Sequence, residues 1–192
     1  MRIITGSAKG AKLKAPRGLD TRPTTDRVKE SIFNILGNAV CEAVVLDLFA
    51  GTGSLGLEAL SRGARQAVFV DQSIASIQVI KDNVDHTKMS DKAEILKSDV
   101  LKTIEKFTRT ENLFDIVFCD PPYNKGYINK VLQLIDKGAI VAEQAILVLE
   151  HSRHEPPATQ WDNLMLKRSE RYGETIVSFL IYNSQQTQKS ED

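Results

Sequence analysis

Cysteine, histidine and tryptophan are scarce in this chain, and its apolar runs are short. Two cysteines, three histidines and one tryptophan among 192 residues make no disulfide framework and no Cys/His cluster at metal-ligand spacing. Cys41 and Cys119 stand in apolar or strand-like surroundings, so both are expected to be buried, reduced thiols. His86, His151 and His154 are expected to be solvated or structural, and no metal is implied. No run approaches the roughly 18 apolar residues that span a membrane, and the N-terminus has no signal-peptide core. A cytoplasmic location is therefore expected, with a monomer as the simplest state. Net charge is also lacking: 25 basic residues balance 25 acidic ones.

That balance conceals an asymmetry. Residues 1–30 carry eight bases (Arg2, Lys9, Lys12, Lys14, Arg17, Arg22, Arg27, Lys29) against three acids. A basic arm on an acidic body points to a polyanionic partner met at one edge. Residues 1–22 alternate weakly around Gly6 and Gly10, which predicts a small hairpin with lysines on its exposed face. Thr24 or Thr25 then caps a helix whose apolar stripe is Val28, Ile32, Phe33 and Leu36, ended by Gly37. Arg22 and Arg27 fall at the positive end of its dipole, a poor place for cations unless a phosphate joins them.

The chain is organised around residues 44–56, Val-Val-Leu-Asp-Leu-Phe-Ala-Gly-Thr-Gly-Ser-Leu-Gly. An apolar strand breaks at Gly51 and Gly53, and a helical pattern follows. Such a turn brings backbone N–H groups close to a ligand. Gly51-x-Gly53-x-x-Gly56 also fits a dinucleotide fingerprint, with Asp71 about twenty residues beyond. Asp47 at the strand mouth would repel a pyrophosphate, however, and attract a ligand with cationic groups. S-adenosylmethionine, with a sulfonium and an ammonium, is such a ligand.

Strand and helix patterns then alternate, the signature of a parallel α/β sheet. Strands are predicted at 66–70, 93–96, 114–119 and 145–149, and a closing antiparallel pair at 164–172 and 175–182. Between them, helical stripes are predicted from Ile74, Ile77 and Ile80, from Val100, Ile104 and Phe107, and from Tyr127 to Ile135. Asp47, Asp71, Asp99 and Asp120 all fall where strands end, and in open α/β sheets ligands bind outside those ends. Asp120-Pro121-Pro122-Tyr123 is the most informative group. Its prolines remove two donors and fix the backbone, leaving carbonyls to accept beside a carboxylate. That suits a planar amine with two N–H donors, and Tyr123 offers a face for stacking a base.

These motifs resemble the SAM-dependent amino-methyltransferases of the Rossmann-like, seven-stranded α/β fold. Arg2-Ile3-Ile4-x-Gly6, Arg22-Pro-Thr-Thr-Asp-Arg27 and Tyr172-Gly173-x-Thr175 narrow the resemblance to the bacterial RsmD family, over roughly residues 1–182. Where that family's hairpin carries Arg-Gly-Arg, this chain has Lys9-Gly10-Ala11-Lys12, which keeps charge without a bidentate fork. The resemblance implies methylation of a guanine N2 amine in 16S rRNA of the small ribosomal subunit, or an assembly intermediate of it. It implies that Asp47, Phe49, Gly51 and Gly53 line the methionine side of the cofactor, that Asp71 and Gln72 hold ribose and adenine, and that Asp99 and Val100 flank the adenine amine. It assigns the guanine to Asp120, Pro121, Pro122 and Tyr123, and RNA contacts to Arg2, Lys9, Lys12, Arg22, Thr24 and Arg27. The expected division is an RNA-binding arm at 1–40, a small hairpin plus helix, then a methyltransferase domain at 41–182 and a disordered tail at 183–192. The motif Asp-Pro-Pro-Tyr alone does not separate this substrate from a DNA adenine or cytosine amine or a protein glutamine amide. A non-catalytic nucleotide- or RNA-binding module is the alternative of another class.

Overall fold

The structure, a computed structural model, describes residues 1–15, 25–110, 113–138 and 140–184. The chain falls into two compact units, Met1–Asp99 and Val100–Asp192.

In the first unit, α1 (Asp26–Leu36) precedes β1 (Val44–Leu48), α2 (Ser54–Ser61), β2 (Gln66–Asp71), α3 (Ile74–His86) and β3 (Ala93–Lys97). The strands run parallel in the order β3-β2-β1. Parallel neighbours need crossovers, and α2 and α3 supply them. Strands covered on both faces read as continuous apolar runs; Val45, Leu46, Phe69 and Val70 are accordingly buried completely. Helix α1 begins at Thr25, whose side chain accepts the Val28 N–H. Its stripe of Val28, Ile32, Phe33 and Leu36 is buried as expected, and Gly37, at φ +52°, donates its N–H to Phe33 O and ends it. Thr24 and Arg22 lie outside the described residues.

The second unit contains α4 (Val100–Phe107), β4 (Phe114–Cys119), α5 (Tyr127–Lys137), β5 (Val141–Ser152), β6 (Leu164–Tyr172) and β7 (Thr175–Tyr182). Its strands lie in the order β4-β5-β7-β6, with β4 and β5 parallel and β7 antiparallel to both β5 and β6. The seven strands and their helices make a mixed α/β sheet fold, as expected. Among the described residues no helix is long and apolar enough to cross a membrane.

The small N-terminal hairpin is present: Arg2 and Lys12 bridge antiparallel, and Ile3 and Leu13 donate their N–H groups to Ala11 O and Met1 O. Four other expectations need correction. Strand β5 runs from Val141 to Ser152 and not merely over 145–149. Its polar C-terminal flank, Glu150 to Ser152, is paired through the backbone with β7, which an apolar run does not reveal. Ile74 is 69% exposed, since it starts α3 ahead of the face made by Ile77 and Ile80. Cys41 is exposed, while Cys119 is buried. Of the tail expected to be disordered, Asn183 donates its N–H to Asn163 O and Ser184 bonds Glu143; residues 185–192 lie outside the described ones.

Candidate active site

The glycine turn after β1 is shaped by two carboxylates. Asp47, 3% exposed, accepts the Gly56 N–H on Oδ2 at 2.9 Å and so ties the strand to the first turn of α2. Burial pushes its carboxyl up to about 7, with the Asp71 charge adding to the rise and the Gly56 N–H opposing it. Asp71, at the end of β2, accepts the Gly51 N–H on Oδ2 at 2.9 Å and the Ser73 N–H on Oδ1 at 2.8 Å. Its backbone carbonyl accepts the Ser98 N–H, so one residue knits together the loops after β1, β2 and β3.

Between these anchors the backbone takes left-handed values at Phe49 (φ +59°), Gly51 (+57°) and Gly53 (+73°). Phe49 is bulky, and a non-glycine residue held there marks a site that the surroundings over-determine. At Gly51 an added Cβ would meet nothing nearer than Phe49 O at 3.9 Å, so that side stays open to a ligand. Gln72 is exposed, Asp99 is half-buried just before α4, and Val100 is buried in its first turn. The residues fit S-adenosylmethionine chemically. A carboxylate offers about four acceptor sites, and with two given to backbone N–H groups Asp71 retains capacity for a ribose diol. Asp71 beside an open glycine turn suits the ribose of such a ligand, while Asp47 is engaged with Gly56.

In the second unit, β4 delivers Asp120 half-buried, Pro121 buried, and Pro122 and Tyr123 exposed. The Tyr123 hydroxyl donates to Glu150 Oε1 at 3.2 Å and lies 3.0 Å from Thr175 Oγ1. Burial, helped by the Glu150 and Asp120 charges, pushes this phenol up to about 12. The following turn is held by Glu155, which accepts the N–H groups of Asn124 and Gly126. His151 is buried against Ser178 Oγ and Ser152 O, and burial lowers its pKa; His86 and His154 are exposed. Among the described residues no group of three or more His, Cys, Asp or Glu could hold a metal.

The arm residues are exposed at Arg2, Lys9, Lys12 and Arg27, with Arg2 paired to Asp26 at 3.2 Å. Sequence reasoning missed Glu150, Glu155, Lys29, Glu58 and Asn83. Glu150 had a signal, since it is one more acid directly after a predicted strand. Lys29 and Asn83 had a weaker one, being polar residues set among apolar helix stripes, and both are fully buried.

Residues 1–181 match the family described as Conserved hypothetical protein 95. A Bacillus subtilis protein, named provisionally as the rRNA methyltransferase YlbH, is 42% identical over 93% of this chain and 97% of its own length. Ribosomal RNA small subunit methyltransferase D of Escherichia coli K12 is 32% identical, over 100% of this chain and 93% of its own. A solved Escherichia coli structure, described provisionally as a methyltransferase, superposes with a TM-score of 0.83 at 29% identity, covering 96% of this chain and 98% of that one. The chain thus belongs to the Conserved hypothetical protein 95 family, the RsmD-type methyltransferases that its own motifs resemble.

Proposed function

We propose that this protein transfers a methyl group from S-adenosylmethionine to the N2 amine of a guanine in the 16S rRNA of the small ribosomal subunit. The observation that carries the reading is the motif Asp120–Tyr123 at the end of β4, in a chain similar along its length to a small-subunit rRNA methyltransferase. Bound S-adenosylmethionine would supply an electrophilic methyl on a sulfonium. Phe49, Gly51 and Gly53 would border its methionine portion. Asp47 would act mainly by setting the turn, because its carboxylate is buried against Gly56. Asp71 and Gln72 would take ribose and adenine, with Asp99 and Val100 at the adenine amine.

The guanine amine is a poor nucleophile, since its lone pair is delocalised into the ring. Asp120 and the Pro121 carbonyl, accepting its two N–H groups, would draw the nitrogen towards tetrahedral geometry and orient its lone pair. Positive charge grows on that nitrogen as it reacts, and a carboxylate already in place stabilises the change without reorganising. Tyr123 would stack on the extruded base. Residues 1–40 would form the RNA-binding arm, with Arg2, Lys9, Lys12, Arg22, Thr24 and Arg27 on the RNA backbone. The substrate would place the protein in the cytoplasm.

The test uses labelled methyl transfer to small subunits from cells lacking the protein, followed by nucleoside identification. N2-methylguanosine is expected. Asp120→Ala should lower turnover by about 100-fold or more, by analogy with loss of a preorganised stabilising group, while the dissociation constant for S-adenosylmethionine changes less than about threefold. A variant with near-normal turnover would remove Asp120 from the reaction.

A further inference from the structure

The loop that follows β4 is short of internal support. Pro121 and Pro122 have no N–H to donate, and Asn124 and Gly126 both sit at positive φ. What fixes the Tyr123 ring must come from elsewhere. Glu155 takes the backbone N–H groups of Asn124 and Gly126, which sets the loop but leaves the ring free to turn. The hydroxyl end of the ring meets two side chains of another origin. Glu150 lies near the end of β5 and Thr175 opens β7, each 7% exposed, whereas Tyr123 is 38% exposed. The hydroxyl is thus held by buried side chains, while the residue as a whole stays exposed.

The strand register explains why these two side chains converge. Ser152 pairs with Thr175, and Glu150 with Val177, across an antiparallel ladder. Directly opposite residues share a face, as do residues two apart. Glu150 and Thr175 are therefore diagonal neighbours on one face. Proton counting fixes the direction of the bonds. A phenol has one proton, which Tyr123 donates to Glu150, so the Thr175 hydroxyl donates to the phenol oxygen. Such a chain polarises along its length and strengthens each member.

We infer that Glu150 and Thr175 are positioning residues that lock the Tyr123 ring as a stacking platform, and that the Tyr123 hydroxyl is engaged by this anchor and does not read the substrate. The inference rests on the reading of Asp120–Tyr123 as the amine-receiving motif. The raised phenol pKa keeps Tyr123 a donor throughout the working pH range.

Two arms test it. In the first, kcat and KM for small subunits are measured at saturating S-adenosylmethionine for Tyr123→Phe, Glu150→Ala, Thr175→Val and the pairwise combinations. Each single change should lower kcat/KM about tenfold with cofactor affinity unaltered, and Glu150→Ala should cost less than twofold in the Tyr123→Phe background. Additive losses would overturn the anchor, as would a Tyr123→Phe enzyme that behaves like wild type, or one impaired while Glu150→Ala and Thr175→Val are silent. The second arm needs neither substrate nor cofactor: tetranitromethane nitration of Tyr123 in the free protein, mapped by mass spectrometry. Glu150→Ala should nitrate several-fold faster than wild type, and an equal rate would reject the anchor. Failure of the wild type to methylate guanine would count against the proposed function and leave this second arm to decide the anchor.

Discussion

Asp47 shows how far one residue's surroundings can depart from what its position in a motif implies. The carboxyl is enclosed, and its proton is held up to about pH 7 chiefly by burial. In the unfolded chain the same group titrates near 4. Between those values the native state binds the proton more tightly than the unfolded one, so stability is fullest below pH 4 and declines as pH rises through 7. Asp47→Asn removes the ionisation yet keeps a carbonyl to accept the Gly56 N–H. The variant should therefore match wild type near pH 4 and exceed it by pH 8, by a margin of at most about 4 kcal/mol. Urea midpoints of both proteins at the two pH values measure the difference, in which all other titrations cancel. A difference that stays flat with pH would mean that Asp47 ionises freely in the folded protein.

At the scale of elements, the N-terminal segment is fastened to the first unit as a part of it. Glu58 on α2 accepts the N–H groups of Ile4 and Thr5 while pairing with Arg62 at 2.8 Å and with the buried Lys29 at 3.5 Å. Lys29 in turn donates to Arg2 O and to Ser54 Oγ. Asn83 on α3 clasps both backbone groups of Lys14 and also donates to Thr52 O in the glycine turn. Gly6 permits the closest approach: it has φ +87°, and an added Cβ would lie 1.8 Å from Ser61 O, a backbone atom that cannot step aside. Gly6→Ala should lift residues 1–15 from α2 while the strands stay folded. Limited proteolysis should then cut after Lys9, Lys12 or Lys14 at least tenfold faster, with the main thermal transition retained; unchanged cleavage would show that the segment is held elsewhere. The partners were not legible in the sequence, because the tie between Lys14 and Asn83 joins positions 69 residues apart, and no local period encodes such a partner. Strands 114–119 and 175–182 were legible from their nearly continuous apolar runs, and 164–172 from its place before the Gly173 turn; all three agree with the structure residue for residue. The acids at strand ends were legible too, since parallel strands put them at one edge of each unit. Glu150 escaped because β5 was read only across its apolar centre.

Over the whole molecule the charge is zero yet segregated, with residues 1–30 basic and the remainder acidic. The structure trims that contrast. Lys29 is fully buried, and Arg2 and Lys14 are paired with Asp26 and Asp82. Lys9 and Lys12 are exposed on the bridged turn and take part in no ion pair among the described residues. A surface pair such as Arg2–Asp26 is worth under about 1 kcal/mol, so it would yield readily to a phosphate, whereas Lys29 would not. Association with a polyanion releases counterions in proportion to the phosphates neutralised, at about 0.7 to 0.9 in the slope of log K against log salt for each one. If the arm meets rRNA as proposed, Lys9→Ala combined with Lys12→Ala should flatten that slope by about 1.5, and Lys29→Met should leave it unaltered in any variant that folds. Binding of a small-subunit rRNA fragment, titrated across a salt series, reads both values. Equal slopes for wild type and the double variant would detach the bridged turn from the RNA and return its lysines to solvent.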